Sequence, residues 1–159
     1  MTSQADIKQE LDSAIEQLYS LFLRYHKRST ILGCPCCVDR KDEKRLHSKP
    51  LRELTADDLY EFAFSSLYTW GELEDFKHFL PRLFELAATE DHLPFNHEIL
   101  FGKLSYGGFN GWPPDEQAAV TKYFIAAWES LLASDSDSYD MDAWLCGLAE
   151  LPRCGAWRL

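Results

Sequence analysis

Apolar side chains recur every three to four positions through most of this chain, and this spacing constrains its fold more than any other feature. In the first such segment, residues 4–27, the apolar positions fall on one face of a helix. They are Ile7, Leu11, Ala14, Ile15, Leu18, Leu21, Phe22 and Tyr25. The alternation of apolar and polar residues that marks a half-buried strand is not evident anywhere in the sequence. The sequence therefore predicts an all-α fold.

The next two predicted helices follow each other closely. Thr55 is predicted to cap a helix whose apolar stripe reaches Trp70 and which ends at Gly71. The helix after it contains Pro81, which is expected to kink or restart it because proline has no N–H to donate. A turn this short predicts that the two helices form an antiparallel hairpin.

Three further helices are predicted in the remainder of the chain. They lie around residues 96–104, after the prolines Pro113 and Pro114, and around residues 141–148. Because 159 residues with 46% hydrophobic side chains suffice for one core, residues 1–159 are predicted to form a single domain. Helical hairpins in sequence predict either a small HEAT-like α-solenoid or an irregular helical bundle.

Residues 29–52 are predicted to be a long loop rich in cysteine and basic residues. Lys27 and Arg28 are predicted to close the helix before it, where cations suit the carbonyl end of the helix dipole. At about two dozen residues the loop is longer than most connections in a compact domain. Long loops of this kind are commonly functional, so the loop is the first place to look for a site.

The net charge of −10 is unevenly distributed. Residues 24–52 carry nine Lys and Arg against three Asp and Glu, whereas residues 53–159 carry six against nineteen. An acidic chain is a poor nucleic-acid binder because phosphate affinity requires clustered cations, so no nucleic-acid partner is expected. The basic stretch is predicted to contact either an acidic partner or, as we favour, the chain's own acidic body or solvent. Its candidate partner-binding residues are Arg40, Lys41, Lys44 and Arg45.

Three of the five cysteines lie together in the sequence Cys34-Pro35-Cys36-Cys37. The C-x-x-C spacing of Cys34 and Cys37 suits two ligands of a tetrahedral zinc ion. The remaining ligands would come from His47 and His78, with further candidates in Cys36, His26, Cys146 and Cys154. The alternatives are thiols that pack as small apolar residues and fasten the loop, which we favour, or a redox-active pair. The redox interpretation lacks the β-strand that precedes such motifs in thioredoxin-like folds.

A second group of polar residues is predicted on one helix face. Glu74 and Asp75 precede His78 by four and three positions, and Arg82 follows it by four. A carboxylate there is placed to orient the imidazole, but a charged solvent-facing helix side is the favoured interpretation. Among the aromatic residues, Phe109 and Trp112 lie on a glycine-rich turn and are predicted to be exposed and to contact a partner.

Several segments resemble a family of small uncharacterised bacterial proteins, and the likeness spans most of residues 25–130. The segments are GCPCCV at 33–38, PLRELT at 50–55, TWG at 69–71, DFKHFLPR at 75–82 and WP at 112–113. The resemblance implies a bacterial, cytoplasmic protein and carries no established activity. A looser similarity to HEAT-like repeats concerns the helical architecture alone.

These observations predict a non-catalytic helical module for protein–protein interaction. No complete set of catalytic residues is evident in the sequence, so an enzyme is not expected. A zinc protein using the cysteine-rich loop and an immunity or antitoxin-type protein are the alternatives, the latter because acidic surfaces suit basic partners. Without an apolar leader or a run of about 20 apolar residues, a cytoplasmic location away from the membrane is expected.

Overall fold

The structure, a computed structural model, describes residues 2–135 and 138–149. Within these residues it contains seven α-helices and no β-strand, which confirms the all-α class. The helices are α1 (Gln4–Phe22), α2 (Arg40–His47), α3 (Ala56–Ser65), α4 (Leu73–Thr89), α5 (His97–Tyr106), α6 (Pro114–Ala133) and α7 (Ser138–Ala149). None of the described helices is both long enough and apolar enough to cross a lipid bilayer.

The helices begin where the sequence supplies capping residues. Thr55 accepts a hydrogen bond from the Asp58 amide at 3.2 Å, and the Asp58 carboxylate accepts one from the Thr55 amide at 2.9 Å. The Asn96 side chain caps α5 by accepting a single hydrogen bond, from the Glu98 amide at 2.7 Å. These side chains satisfy amides that the first helical turn leaves without partners. The predicted cap at Thr55 is therefore confirmed.

Two helices end earlier than the sequence pattern predicts. The first helix, α1, ends at Phe22, so Arg28 lies outside it and pairs instead with Glu72, at 2.9 Å. The third, α3, ends at Ser65 rather than at Gly71. The chain after Ser65 turns sharply, and Leu67 there has a φ of 66°. The apolar stripe continued into this turn because the turn packs its side chains on the same core.

The helix does not restart at Pro81, since α4 runs continuously through it from Leu73 to Thr89, and the predicted kink stays a prediction. Proline removes one backbone hydrogen bond from a helix, a local cost that packing can offset. On both sides of Pro81 the helix is held by fully buried side chains, namely Phe76, Phe79, Leu80, Leu83 and Phe84. The core on this face keeps the helix in one piece.

The helices pack as an irregular bundle. The first helix, α1, lies along α6 and α4, while α5 packs against α7 and α2 against α3. In a solenoid each hairpin would contact only its neighbours in sequence. Contact between the first and sixth helices is instead that of a bundle, and the HEAT-like arrangement is not confirmed.

A buried ion pair joins α4, α6 and the segment after α1. The Lys77 ammonium lies 2.6 Å from the Glu116 carboxylate, and both side chains are almost completely buried. The Tyr25 hydroxyl donates to the same carboxylate at 2.5 Å. The Trp112 ring covers the ammonium, with its centroid 4.2 Å away. A charge pair so enclosed is stable only because each member has several partners.

The predicted long loop at residues 29–52 contains a helix. Asp39 caps α2 by accepting a hydrogen bond from the Lys41 amide at 2.9 Å, and Leu46 is fully buried. The helical pattern was not evident because seven of the eight residues of α2 are charged or histidine. A single buried leucine cannot show the spacing of apolar residues that predicts a helix. The helix is therefore evident only from its contact with the rest of the fold.

Candidate functional site

The cysteine-rich sequence folds into a tight turn immediately before α2. The Cys37 amide donates to the Cys34 carbonyl at 2.9 Å, and the Val38 amide donates to the same carbonyl at 3.1 Å. The turn places Cys34 and Cys37 at its two ends, close enough for the Cys37 thiol to lower the pKa of Cys34. The C-x-x-C pair is thus a preformed vicinal dithiol in space.

Backbone hydrogen bonds fasten this turn to the segment between α3 and α4. The Cys34 amide donates to the Thr69 carbonyl at 2.8 Å, and the Gly71 amide donates to the Leu32 carbonyl at 2.7 Å. A Cβ atom at Gly33 would lie 2.7 Å from the Val38 side chain and 3.0 Å from the Trp70 ring, so a larger residue does not fit there. The turn is therefore held in one position by its backbone.

The thiols themselves do not fasten the loop, contrary to the interpretation favoured from the sequence. Cys36 and Cys37 are exposed and Cys34 is only half-buried, so their sulfur atoms contribute little to the core. The hydrogen bonds of the neighbouring backbone perform that role instead. Exposure leaves the three sulfur atoms accessible for chemistry.

The hydrogen bonds around Cys34 distinguish the two thiols. The Cys37 thiol, and then the backbone amide of Cys36, lower the pKa of Cys34 below its usual range. The same thiol–thiol hydrogen bond, followed by partial burial, raises the pKa of Cys37. Groups that donate to a thiolate favour its charged form, so the negative charge belongs on Cys34.

The predicted zinc ligands do not form one cluster. Within residues 2–135 and 138–149, no group of three or more His, Cys, Asp and Glu side chains is arranged to hold a metal ion. The Nδ1–H of His78 donates to the Tyr25 carbonyl at 2.8 Å, and burial lowers the pKa of His78. The Nε2 atom of His47 is buried without a hydrogen-bond partner. Of the reserve candidates, His26 and Cys146 are exposed, and Cys154 lies outside the described residues.

The predicted polar face of α4 ties that helix to its neighbours. Glu74 pairs with Arg28 at 3.2 Å, and Asp75 lies 3.5 Å from the same guanidinium. Arg82 donates to the Leu54 carbonyl at 2.8 Å. Because each of these groups already has a structural partner on another segment, the face resembles a set of ties between elements more than an acid–base pair.

The basic residues of the chain divide into two classes. Several pair with carboxylates of the acidic body, as predicted: Arg24 with Asp115, Arg28 with Glu72, Lys49 with Asp58 and Arg52 with Glu16, at 2.7–2.9 Å. The four cations of α2 are all exposed, and none forms an ion pair within the part of the chain that the structure describes. They are Arg40, Lys41, Lys44 and Arg45, and we call them the basic face of α2.

The predicted exposure of Phe109 and Trp112 is wrong. Each side chain is only 4% exposed. The indole of Trp112 donates to the Gly107 carbonyl at 2.9 Å and lies against Lys77, while the Phe109 ring packs on it with centroids 5.2 Å apart. The glycines of this turn let the chain fold its aromatic residues inward, so these two side chains offer no free contact surface.

A different set of aromatic residues is exposed, and the sequence analysis missed it. We call it the aromatic surface; its members are Tyr60, Phe64, Tyr68 and Tyr106, which are 40–62% exposed. The rings of Tyr68 and Tyr106 meet edge to face, with centroids 4.8 Å apart. The signal in the sequence was the spacing of four between Tyr60 and Phe64, on the side of α3 opposite the apolar stripe, with Tyr68 four residues further on in the turn after α3.

A buried lysine lies beneath this aromatic surface. The Lys103 ammonium donates to the carbonyls of Phe64 and Ser66 at 2.7 Å each, and the Tyr68 ring covers it at 3.4 Å. Burial lowers the pKa of Lys103 to about 8. The cation therefore caps the carbonyl end of α3, where no carboxylate pairs with it among the described residues.

Comparison with known proteins adds no assignment to these features. No family model, curated protein or solved structure matches the chain. The resemblance to a bacterial family stays a prediction. The cysteine turn, the basic face of α2 and the aromatic surface are the features of the described residues that could serve a function.

Proposed function

We propose that this protein is a helical interaction module that binds an acidic surface of a partner protein through the basic face of α2. One observation carries the proposal: four exposed cations on one short helix have no carboxylate partner among the described residues, in a chain whose net charge is −10. With so many acids available, four of the five other cations of residues 24–52 are paired with carboxylates within the fold. Cations left unpaired in such surroundings are available to a carboxylate of another molecule.

The helix is held firmly enough to present these cations. Leu46 is fully buried on its inner side, and the Asp39 cap fixes its start. The Glu43 carboxylate accepts a hydrogen bond from the Ile31 amide at 3.1 Å, which ties the helix to the preceding segment. A binding surface on an anchored helix loses less conformational entropy on association than one on a free loop.

The charge distribution favours an acidic protein over a nucleic acid as the partner. Residues 53–159 carry nineteen acids against six Lys and Arg, and would repel a long polyanion that extended beyond α2. A compact acidic patch on a protein avoids that repulsion, since it needs to cover only one short helix. We therefore assign the basic face to a protein partner.

The aromatic surface is a second candidate contact for the same function. Tyrosine and phenylalanine side chains are enriched at the centres of protein interfaces. It specifies its partner less than the basic face does, because apolar and aromatic contacts carry no charge complementarity. The immunity or antitoxin role, which would use the acidic body of the chain, stays a prediction.

The test compares two charge-matched variants for binding to a fluorescein-labelled poly-glutamate peptide, measured by fluorescence anisotropy at low salt. K41Q/K44Q removes two cations from the basic face. K8Q/K122Q removes two exposed cations from α1 and α6 and changes the net charge equally. Losing two ionic contacts should weaken binding about tenfold in the first variant, while the second should stay within about twofold of the parent.

Two results would overturn the assignment. Equal losses in both variants would mean that the peptide senses net charge and not the basic face. Tighter binding of a single-stranded DNA oligonucleotide than of the peptide would make the partner a nucleic acid.

A further inference from the structure

We propose that Cys34 and Cys37 form a thiol–disulfide exchange site, which reduces a disulfide carried by another molecule and closes to an internal disulfide. This inference is independent of the partner proposed for α2. It concerns the turn that precedes the helix, and it rests on the geometry of that turn.

The backbone already holds the two cysteines at the spacing that a disulfide requires. A four-residue turn with the hydrogen bond from the Cys37 amide to the Cys34 carbonyl places its end Cα atoms within about 7 Å. Disulfides join Cα atoms that are about 4.4–6.8 Å apart. The two side chains are close enough for the Cys37 thiol to lower the pKa of Cys34. Closure therefore needs rotation of side chains and little movement of the backbone.

The anchoring of the turn keeps this geometry in both redox states. The hydrogen bonds from Cys34 to Thr69 and from Gly71 to Leu32 hold the strand-like segment before the turn. Since these bonds use backbone atoms, neither depends on the oxidation state of sulfur. The exposure of Cys37 and the half-exposure of Cys34 leave room for a substrate disulfide to approach.

The hydrogen bonds assign different roles to the two sulfur atoms. Cys34 is the acceptor for the Cys37 thiol and for the backbone amide of Cys36, so it is the sulfur prepared to carry negative charge. Thiolates, not thiols, attack disulfides. Cys34 is therefore the attacking residue and Cys37 the resolving one.

The reaction balances with the substrate disulfide as the oxidant. The Cys34 thiolate attacks one sulfur of the substrate, which breaks the substrate S–S bond, forms a mixed disulfide with Cys34 and releases the other half as a thiolate. Cys37 then loses its proton to solvent and attacks the Cys34 sulfur, which expels the second half as a thiolate. Two electrons pass from the cysteine pair to the substrate, and the two released thiolates take up protons according to the pH.

The test uses 5,5′-dithiobis(2-nitrobenzoate) as the substrate disulfide, in the full chain carrying C146S and C154S. The parent is expected to release two thionitrobenzoate ions for each Cys34–Cys37 pair and to end without an adduct at that pair. Mass spectrometry of the tryptic peptide that contains the turn should show the loss of two hydrogens between Cys34 and Cys37. Intramolecular resolution should be at least about 100-fold faster than attack by an external thiol, so the C37S adduct should persist at least that much longer.

Two further variants separate the proposal from its alternatives. C36S should resolve its adduct as the parent does, while C34S should lose the fast first release. A stable adduct at Cys34 in the parent, or closure that requires Cys36, would overturn the proposal. Poly-glutamate binding by C34S should equal that of the parent. A negative result for thiol–disulfide exchange can therefore be told apart from a negative result for partner binding by α2.

Discussion

Lys103 is a cation enclosed by carbonyl oxygens and an aromatic ring. Its side chain is fully buried, and it donates to two carbonyls at the end of α3 while lying under Tyr68. Such a group stabilises the turn that follows α3 by satisfying carbonyls that would otherwise be buried without donors. Its charge is nevertheless costly to bury, and this conflict makes the stability of the fold depend on pH.

The free energy of unfolding should rise with pH between about pH 8 and pH 10.5 because of Lys103. Its pKa is about 8 in the fold against 10.5 ordinarily, so in this window the unfolded chain holds a proton that the folded chain has lost. Stability therefore rises by up to about 1.4 kcal/mol per pH unit. Urea denaturation across this range should show the rise in the parent and not in K103M. Tyrosine side chains that ionise at about pH 10 are present in both proteins, so they do not account for a difference between them. Parallel pH dependences would contradict the role given to Lys103.

Removing one member of the Lys77–Glu116 ion pair should destabilise the fold more than removing both. K77M leaves the buried Glu116 carboxylate with only the more distant Arg24 guanidinium, 3.6 Å away, and E116M leaves the Lys77 ammonium without its anion; each should destabilise the fold by about 3–5 kcal/mol. The double variant K77M/E116M leaves neither charge and should recover much of that loss. Chemical denaturation of the three variants completes the cycle, and strictly additive losses would show that the two groups act independently.

At the scale of elements, α2 depends on one apolar contact. Leu46 is the one fully buried residue of the helix, and it fixes the position of the basic face. The helix, the cysteine turn before it and the segment at Thr69–Gly71 are linked by backbone hydrogen bonds. The sequence shows that this segment is rich in cysteine and basic residues, but not that Leu46 and the backbone hydrogen bonds hold it in place.

Loss of the Leu46 side chain should release α2 from α3. L46A should cost about 2–5 kcal/mol and expose the bonds after Lys41, Lys44 and Arg45 to trypsin. L32A truncates a leucine that is 64% exposed and should change stability by less than about 0.5 kcal/mol. Limited proteolysis followed by mass spectrometry compares the two, and equal resistance of L46A and the parent would show that the helix is held by other contacts.

Long periodic helices and their caps were predictable from the sequence, whereas turns and short charged helices were not. Thr55 predicts the start of α3 because its capping role depends only on residues nearby in the sequence. The end of α3 at Ser65 depends on a turn whose partners lie elsewhere, and so does the burial of Trp112 against Lys77. The thiol pair was predictable as a C-x-x-C sequence, but its hydrogen bonds and its separation from His78 were decided by tertiary packing.

Across the whole molecule, two groups of cations can be distinguished, those paired with carboxylates within the fold and those of the basic face of α2. Of the ten Lys and Arg residues outside α2 that the structure describes, six pair with carboxylates, and several of these pairs bind loops and chain segments to the bundle. The cations of α2 have no such partner among the described residues and face outward. Contacts such as that between α1 and α6 are not readable from sequence spacing, so the division between paired and unpaired cations became evident only in the fold.

Site-specific photo-crosslinking in the cell that makes the protein tests whether the basic face of α2 contacts an acidic protein. Lys44, Tyr106 and Lys122 would each be replaced in turn by a photoreactive phenylalanine, to probe the basic face, the aromatic surface and α6. The account predicts adducts from position 44 to an acidic segment of another protein, lost when K41Q is added, and none from position 122. Adducts from position 106 alone, or from position 44 to nucleic acid, would contradict it.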